Sequence, residues 1–308
     1  MTQQHRIDIE QNKAERIELL RAQRLFYARA KNYQSLFATL ALALPLLGVL
    51  FGARAPWIRP YLGLASILIL LLDVGVFSRK QREDCRRGAK VQEQFDTEVL
   101  GMPWNRLVAG GRVDAEEIRE ITSGPLIPEE QARLEDWYEP IVAGLPLAVG
   151  RIFCQRTNVT YDMRVRKEYA GILFWFAIVL WVTLSVFGLL QGLNVEGLLL
   201  TMYVPALPVT AFLLREHRKQ NDTIETLTTL KTEVDKLWEK ALSGSSAEEL
   251  TLNSRAIQDA IYRHRATNPL VFDWLYSRLR ARNEDVTRHA AEKLVAEAEQ
   301  KLKSPEVQ

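Results

Sequence analysis

The sequence predicts an all-α integral membrane protein, with four transmembrane helices in two hairpins and long helices extending into a helical cytoplasmic domain. Three observations predict it. The apolar residues collect in four blocks almost free of charge. Each block comes close to the about twenty residues a helix needs to cross the hydrocarbon core. The polar remainder is rich in helix formers and holds no alternating strand pattern of useful length. Averages hide all of this: 47% hydrophobic and 25% charged residues would suit a soluble protein, and the mean hydropathy is −0.11. Segregation of the apolar residues, not their number, carries the signal.

The first span begins at Leu36 and runs to Phe51, and the second runs from Trp57 to Phe77. The third covers Tyr169 to Leu190 and the fourth Val195 to Leu214. A GARAP turn separates the first pair and QGLN the second, so each pair reads as a helical hairpin. Buried helices of a soluble core would need four apolar-all-round helices, which is rare. The Ala53-Arg54-Ala55 triplet imitates a signal-peptidase site, but the polar segment before it is too long for a signal peptide and a second span follows at once.

Orientation follows from the basic residues beside the spans. Arg21, Arg24, Arg29 and Lys31 precede the first, and Arg79, Lys80, Arg82, Arg86, Arg87 and Lys90 follow the second. Arg164, Arg166 and Lys167 precede the third, and Arg215, Arg218 and Lys219 follow the fourth, while the outer turns hold only Arg54 and Arg59. Both termini and the central segment are therefore expected on the cytoplasmic side of the membrane. This divides the chain into a cytoplasmic N-terminal helix (1–35), a first hairpin (36–78), a cytoplasmic helical segment (79–168), a second hairpin (169–214) and a C-terminal cytoplasmic helical segment (215–308).

Residues 7–35 read as a helix leading straight into the first span, with Ile17, Leu20 and Tyr27 as its apolar stripe. The second span continues as a polar helix to a stop at Gly101 and Pro103. Asp114 is an expected N-cap for a short helix ending before Gly124, and Pro128 opens another expected to reach Pro140. From about Leu147 a helix runs into the third span. After the fourth, Ile224, Leu227, Leu230, Val234 and Leu237 form a seam close to heptad spacing. Helices over 247–266 and 272–302 flank the Asn268-Pro269 break, and the tail after Lys303 is expected to be disordered.

A net charge of +2 gives no reason to expect direct DNA or RNA binding. Cys85 and Cys154 make neither a disulfide framework nor metal-ligand spacing. The dinucleotide, phosphate-loop, nucleophile-elbow and zinc-protease motifs are missing, and His5, His217, His264 and His289 are scattered, so an enzyme is not expected.

Several strings taken together resemble a known family. Gln11-Asn12 with Ala22-Gln-Arg24 and Tyr27 stand before the first span. Val91-Gln-Glu-Gln-Phe-Asp96 continues into Val99-Leu-Gly-Met-Pro-Trp-Asn105, and Cys154-Gln-Arg156-Thr-Asn158, Asp162 and Arg164 precede the third span. Arg255-Ala-Ile-Gln-Asp259, Arg265 and Pro269-Leu-Val-Phe-Asp-Trp274-Leu-Tyr276 come near the end. Their order around four spans is similar to that of the SMODS-associated four-transmembrane, pore-forming effectors of bacterial antiphage systems. The resemblance implies a role in cyclic-oligonucleotide-based antiphage signalling (CBASS). There a nucleotidyltransferase senses infection, and a membrane effector answers its cyclic nucleotide by damaging the inner membrane, causing abortive infection.

Candidate site residues fall in two groups. Asp73 is the sole carboxylate well inside a span, and an intramembrane ionisable residue invites a pore-lining or gating role. It lies about one turn from the end of its span, so pairing with a basic neighbour is the alternative. Pro205 and Pro208 interrupt the fourth span near Thr201, Tyr203 and Thr210, where a kink serves either as a gate or as static structure. For a cyclic oligonucleotide as activating ligand the candidates are Arg24, Trp104, Arg156, Arg265, Trp274 and Tyr276: arginine offers a bidentate fork to phosphate and aromatic rings stack on bases. Arg–Asp pairing and core packing would look identical in sequence. The expected protein is an effector that oligomerises and permeabilises the bilayer, since a filled four-helix unit leaves the path to form between subunits. A non-conducting, membrane-anchored sensor or scaffold recruiting a cytoplasmic partner is the rival. Neither cofactor nor metal is expected.

Overall fold

The computed structural model describes residues 5–51 and 54–302. Four helices are long and apolar enough to cross a membrane: α1 (Ala14–Phe51), α2 (Pro56–Val99), α3 (Leu147–Leu190) and α4 (Val195–Leu242). Two more, α5 (Ala247–Thr267) and α6 (Asp273–Leu302), complete the long elements. Among the described residues there is no strand, so the protein is an all-α, four-span membrane protein.

The long helices overshoot the bilayer. At 44 residues, α2 and α3 reach about 66 Å at 1.5 Å per residue, roughly twice the hydrocarbon thickness. One half of each is apolar and mostly exposed, and the other half is polar and packs into a charged body. Local chemistry sets the ends. Pro56 and Pro60 occupy first-turn positions of α2, whose start is a 3-10 turn. It stops where Gly101 takes φ 62, and Arg151 donates to the freed carbonyls of Leu100 (2.6 Å) and Gly101 (2.7 Å). Such end carbonyls have no partner within their own helix. The Asn194 side chain caps α4 by accepting from Gly197 N at 2.8 Å, and Ser246 caps α5 through Glu249 N at 3.2 Å.

Two apolar cores result. The body core gathers Leu20 and Phe26 of α1, Phe95 of α2, Ile152 and Phe153 of α3, Val234 and Trp238 of α4 and Leu294 of α6. The span core gathers Phe37, Leu173, Leu184, Met202, Val209 and Phe212, closed by Val271 just before α6 and Leu275 in its first turn. The seam expected on α4 buries Leu227, Leu230, Val234 and Leu237.

Two sequence expectations change. The N-terminal helix is not continuous from residue 7: a short helix Ile7–Glu10 is separated from α1. The helix opened by Pro128 ends at Ala132, short of Pro140. One clamp causes both. The Gln11 amide donates to Tyr138 O at 3.0 Å and accepts from Tyr138 N at 2.7 Å. Next to it, Asn12 accepts from Asp136 N at 2.9 Å, where Asp136 takes φ 50. These bonds satisfy backbone groups outside any helix, which removes the reason to continue either one. The tail after Lys303 lies outside the described residues.

Candidate functional site

Three polar clusters are built into this apolar frame. The largest joins α2 to α5. On α2, Glu93 and Asp96 stand one turn apart and face inward, Asp96 fully enclosed. Opposite them α5 presents Arg255, Gln258, Asp259 and Arg265. Gln258 donates to Glu93 Oε2 at 2.8 Å and to Asp96 Oδ2 at 3.0 Å. Arg255 binds Glu93 and Asp259, both at 2.6 Å, and Arg265 pairs with Asp96. Tyr138 donates to Asp96 Oδ1 at 2.7 Å, and Asn105 holds Asp259 at 2.7 Å. Burial, and then the neighbouring Asp96, push the Glu93 carboxyl up to about 7. Burial would depress Arg265, but Asp96 outweighs it and keeps the guanidinium charged.

The second cluster sits where the spans enter the body. Arg166 of α3 donates to Asp162 (2.9 Å), to Gln220 of α4 (2.9 Å) and to the Pro269 carbonyl (2.8 Å). His264 lies 3.2 Å from Asp162, and Gln220 donates to the buried Glu216 at 3.2 Å. Burial alone would raise Asp162; Arg166 and His264 overcome it and hold the carboxyl below its ordinary range.

The third cluster is within the spans. Asp73 is buried and pairs with Arg215 of α4 at 2.5 Å, and Ser78 donates to it at 3.2 Å. α2 widens here into a π-helical turn, Asp73–Phe77, and such turns often mark functional positions. α4 carries another, Leu199–Tyr203, directly before Pro205. Proline has no N–H, so Pro205 cannot donate to Thr201 O. That carbonyl meets Gly48 of α1 so closely that a Cβ there would lie 2.0 Å from it. Pro205 and Pro208 are both buried. The nearby hydroxyls serve α3–α4 packing: Trp181 donates to Thr210 at 3.1 Å, and Ser185 and Tyr203 share a bond of 2.8 Å.

The six nucleotide candidates meet different neighbours. Arg265 is in the Asp96 pair. Arg156 binds Asp235 at 2.7 Å. Trp104 donates its indole N–H to Gly110 O at 2.9 Å and stands under Arg112 at 5.5 Å. Arg24 is exposed. The side chains of Trp274 and Tyr276 lie outside the described residues. Sequence reasoning did not single out Glu93, Arg166, Arg215 or Glu216. A signal existed for Arg215: α2 and α4 run in the same direction, so the body-side ends of their spans put Asp73 and Arg215 at one depth.

The chain matches the SMODS-associating 4TM effector domain over residues 5–294. It is 24% identical over 275 residues to the "Probable CBASS effector molecule" of Bacillus cereus strain VD146, covering 86% of this chain and 90% of that protein. No solved structure is significantly similar.

Proposed function

This chain belongs to the SMODS-associating 4TM effector family, and from that premise we propose that it is a CBASS membrane effector that oligomerises and permeabilises the bacterial inner membrane on activation. Both termini face the cytoplasm, a cyclic oligonucleotide is the activating signal, and the output is physical, with no reaction catalysed. One observation supports this above the others: each of the four spans is continuous with a helix of the charged body. A body that changes shape therefore moves the spans directly. The interior of one unit is filled by side chains such as Phe37, Met202 and Phe212, so the water path forms between copies. The signal must bind the assembled state better than the resting one, or it shifts nothing.

Of the candidate contacts, exposed Arg24 is available to an anionic ligand without breaking an ion pair among the described residues. Arg156 and Arg265 would first have to leave Asp235 and Asp96. Dye release from calcein-loaded vesicles tests the proposal, using purified protein and a panel of cyclic di- and trinucleotides. Release on nucleotide addition is expected. Retention of dye at every protein density, with no nucleotide bound, leaves the anchored scaffold as the better description.

A further inference from the structure

The connection from α5 to α6 leaves the body and inserts among the membrane-crossing helices at their body-side ends. Over a few residues it touches all four. Leu270 closes a small cluster with Ala30 of α1 and Cys85 of α2. Arg166 of α3 donates to Pro269 O at 2.8 Å, and Gln220 of α4 donates to Leu270 O at 3.4 Å. Phe272 meets Tyr169 of α3 edge-on at 6.2 Å and Phe212 of α4 at 6.3 Å. Phe212 in turn meets Phe37 of α1 at 5.6 Å. Lys31 of α1 holds Asp273, and Val271 and Leu275 complete the span core.

The seat under this segment is not an ordinary apolar core. Gln34 lies one turn toward the body from Phe37, with both amide atoms buried and without a hydrogen-bond partner among the described residues. Tyr169, nearly fully enclosed, has a hydroxyl without a hydrogen-bond partner among the described residues. Glu216 is buried one turn toward the body from Phe212. Because α1 and α4 are antiparallel, Gln34 and Glu216 share one level, just beyond the aromatic contacts. Buried polar groups are normally satisfied. Here Phe272 packs on Tyr169, so withdrawal of the segment would let the Tyr169 hydroxyl and the nearby Gln34 amide bond water. The carbonyls of Pro269 and Leu270 are themselves held by the side chains of Arg166 and Gln220, outside any helix or strand.

We propose that Asn268–Leu275 is a clasp that keeps the body-side ends of the spans together at rest, and that its withdrawal frees them to assemble the water path. This rests on the permeabilising function proposed above. α5, which carries Arg255, Gln258 and Arg265 in the cluster with Glu93 and Asp96, is the lever: the clasp is its direct continuation, so a displacement of α5 draws it out. Lys31 and Arg166 set its resting grip.

Full-length protein in calcein-loaded vesicles of phosphatidylethanolamine and phosphatidylglycerol, without activator, provides the test. Phe272→Ala and Lys31→Glu are each expected to release dye about tenfold faster than wild type, the shift of a resting equilibrium weakened by a single lost contact. Adding Asp273→Lys to Lys31→Glu restores the seal by recreating the pair with reversed charge. In parallel, a charged maleimide with peptide mapping reads Cys85, which is buried at rest and should become reactive in both single variants. Sealed vesicles and a protected Cys85 in both variants overturn the clasp, as does a Lys31→Glu leak that Asp273→Lys cannot rescue. If wild type still leaks with cyclic nucleotides, the effector reading survives that failure. Dye retained by every protein, with and without cyclic di- and trinucleotides, overturns the effector reading and the clasp's role with it, even where Cys85 labels.

Discussion

Replacing Arg265 by methionine separates a structural role from a ligand-contact role at the residue where the two compete most sharply. The substitution keeps an unbranched apolar stem and removes the guanidinium from Asp96. That carboxylate is completely enclosed and, among the described residues, keeps two neutral donors, the Tyr138 hydroxyl at 2.7 Å and the Gln258 amide at 3.0 Å. Removing one partner of a buried pair costs about 3–5 kcal/mol, because the remaining charge is left without compensation. With total stabilities of about 5–15 kcal/mol, the loss would be plain in urea unfolding of the detergent-solubilised protein followed by tryptophan fluorescence and far-UV circular dichroism. Adding Asp96→Asn removes the stranded charge while keeping an acceptor for Tyr138. The double variant should therefore recover all but about 1–2 kcal/mol of the loss, the cost of imperfect hydrogen bonding. Strong non-additivity is expected because the two side chains touch. If Arg265→Met unfolds within about 1 kcal/mol of wild type, or if the two changes simply add, the pair does not hold the body together. Loss of nucleotide response at unchanged stability would then assign Arg265 to the ligand.

Three further outcomes are expected. Asp73→Asn should change dye release or cellular toxicity at equal expression, and Arg215→Gln should reproduce it with the double variant no worse than either; unchanged toxicity would reduce the pair to an interfacial anchor. Gly48→Ala places a Cβ 2.0 Å from Thr201 O, so the α1–α4 approach must open at a cost of about 1–3 kcal/mol; a thermal unfolding midpoint equal to wild type would refute that close contact. Glu93, raised to about 7 by burial and by Asp96, binds a proton in the folded body that the unfolded chain, titrating near 4.5, has already released. Its contribution is complete below the unfolded value and fades as pH rises through about 7. Through this group the unfolding midpoint should therefore fall across about pH 4.5 to 7 and level off above it. In Glu93→Gln this fall should be smaller; an equal slope in both proteins would refute the assignment.

An all-α protein with four apolar helices able to cross a membrane, in two hairpins, was legible from the sequence alone. A block of apolar residues without charge has one stable home whatever its neighbours do. The start of α3 near Leu147 and the break at Asn268-Pro269 were legible for a related reason, since a proline acts on its own backbone. The strings Val91–Asp96, Arg255–Asp259 and Cys154–Asn158 stood out as unusual, but not for what they do together. Only the fold puts Asp96 against Arg265, 169 residues later in the chain, and Asp73 against Arg215. The break after Glu10 and the early end of the Pro128 helix escaped for the same reason, since Gln11 and Tyr138 meet across 127 residues. Charge on a helix reads alike whether it faces water, a ligand or an opposite charge, because periodicity specifies a face and not what that face meets. Hydropathy therefore fixed the membrane architecture from local information. The partners of the buried charges, and the seating of Asn268–Leu275 against all four spans, were decided by tertiary packing, where burial removes water and each polar group takes the partner that the fold supplies.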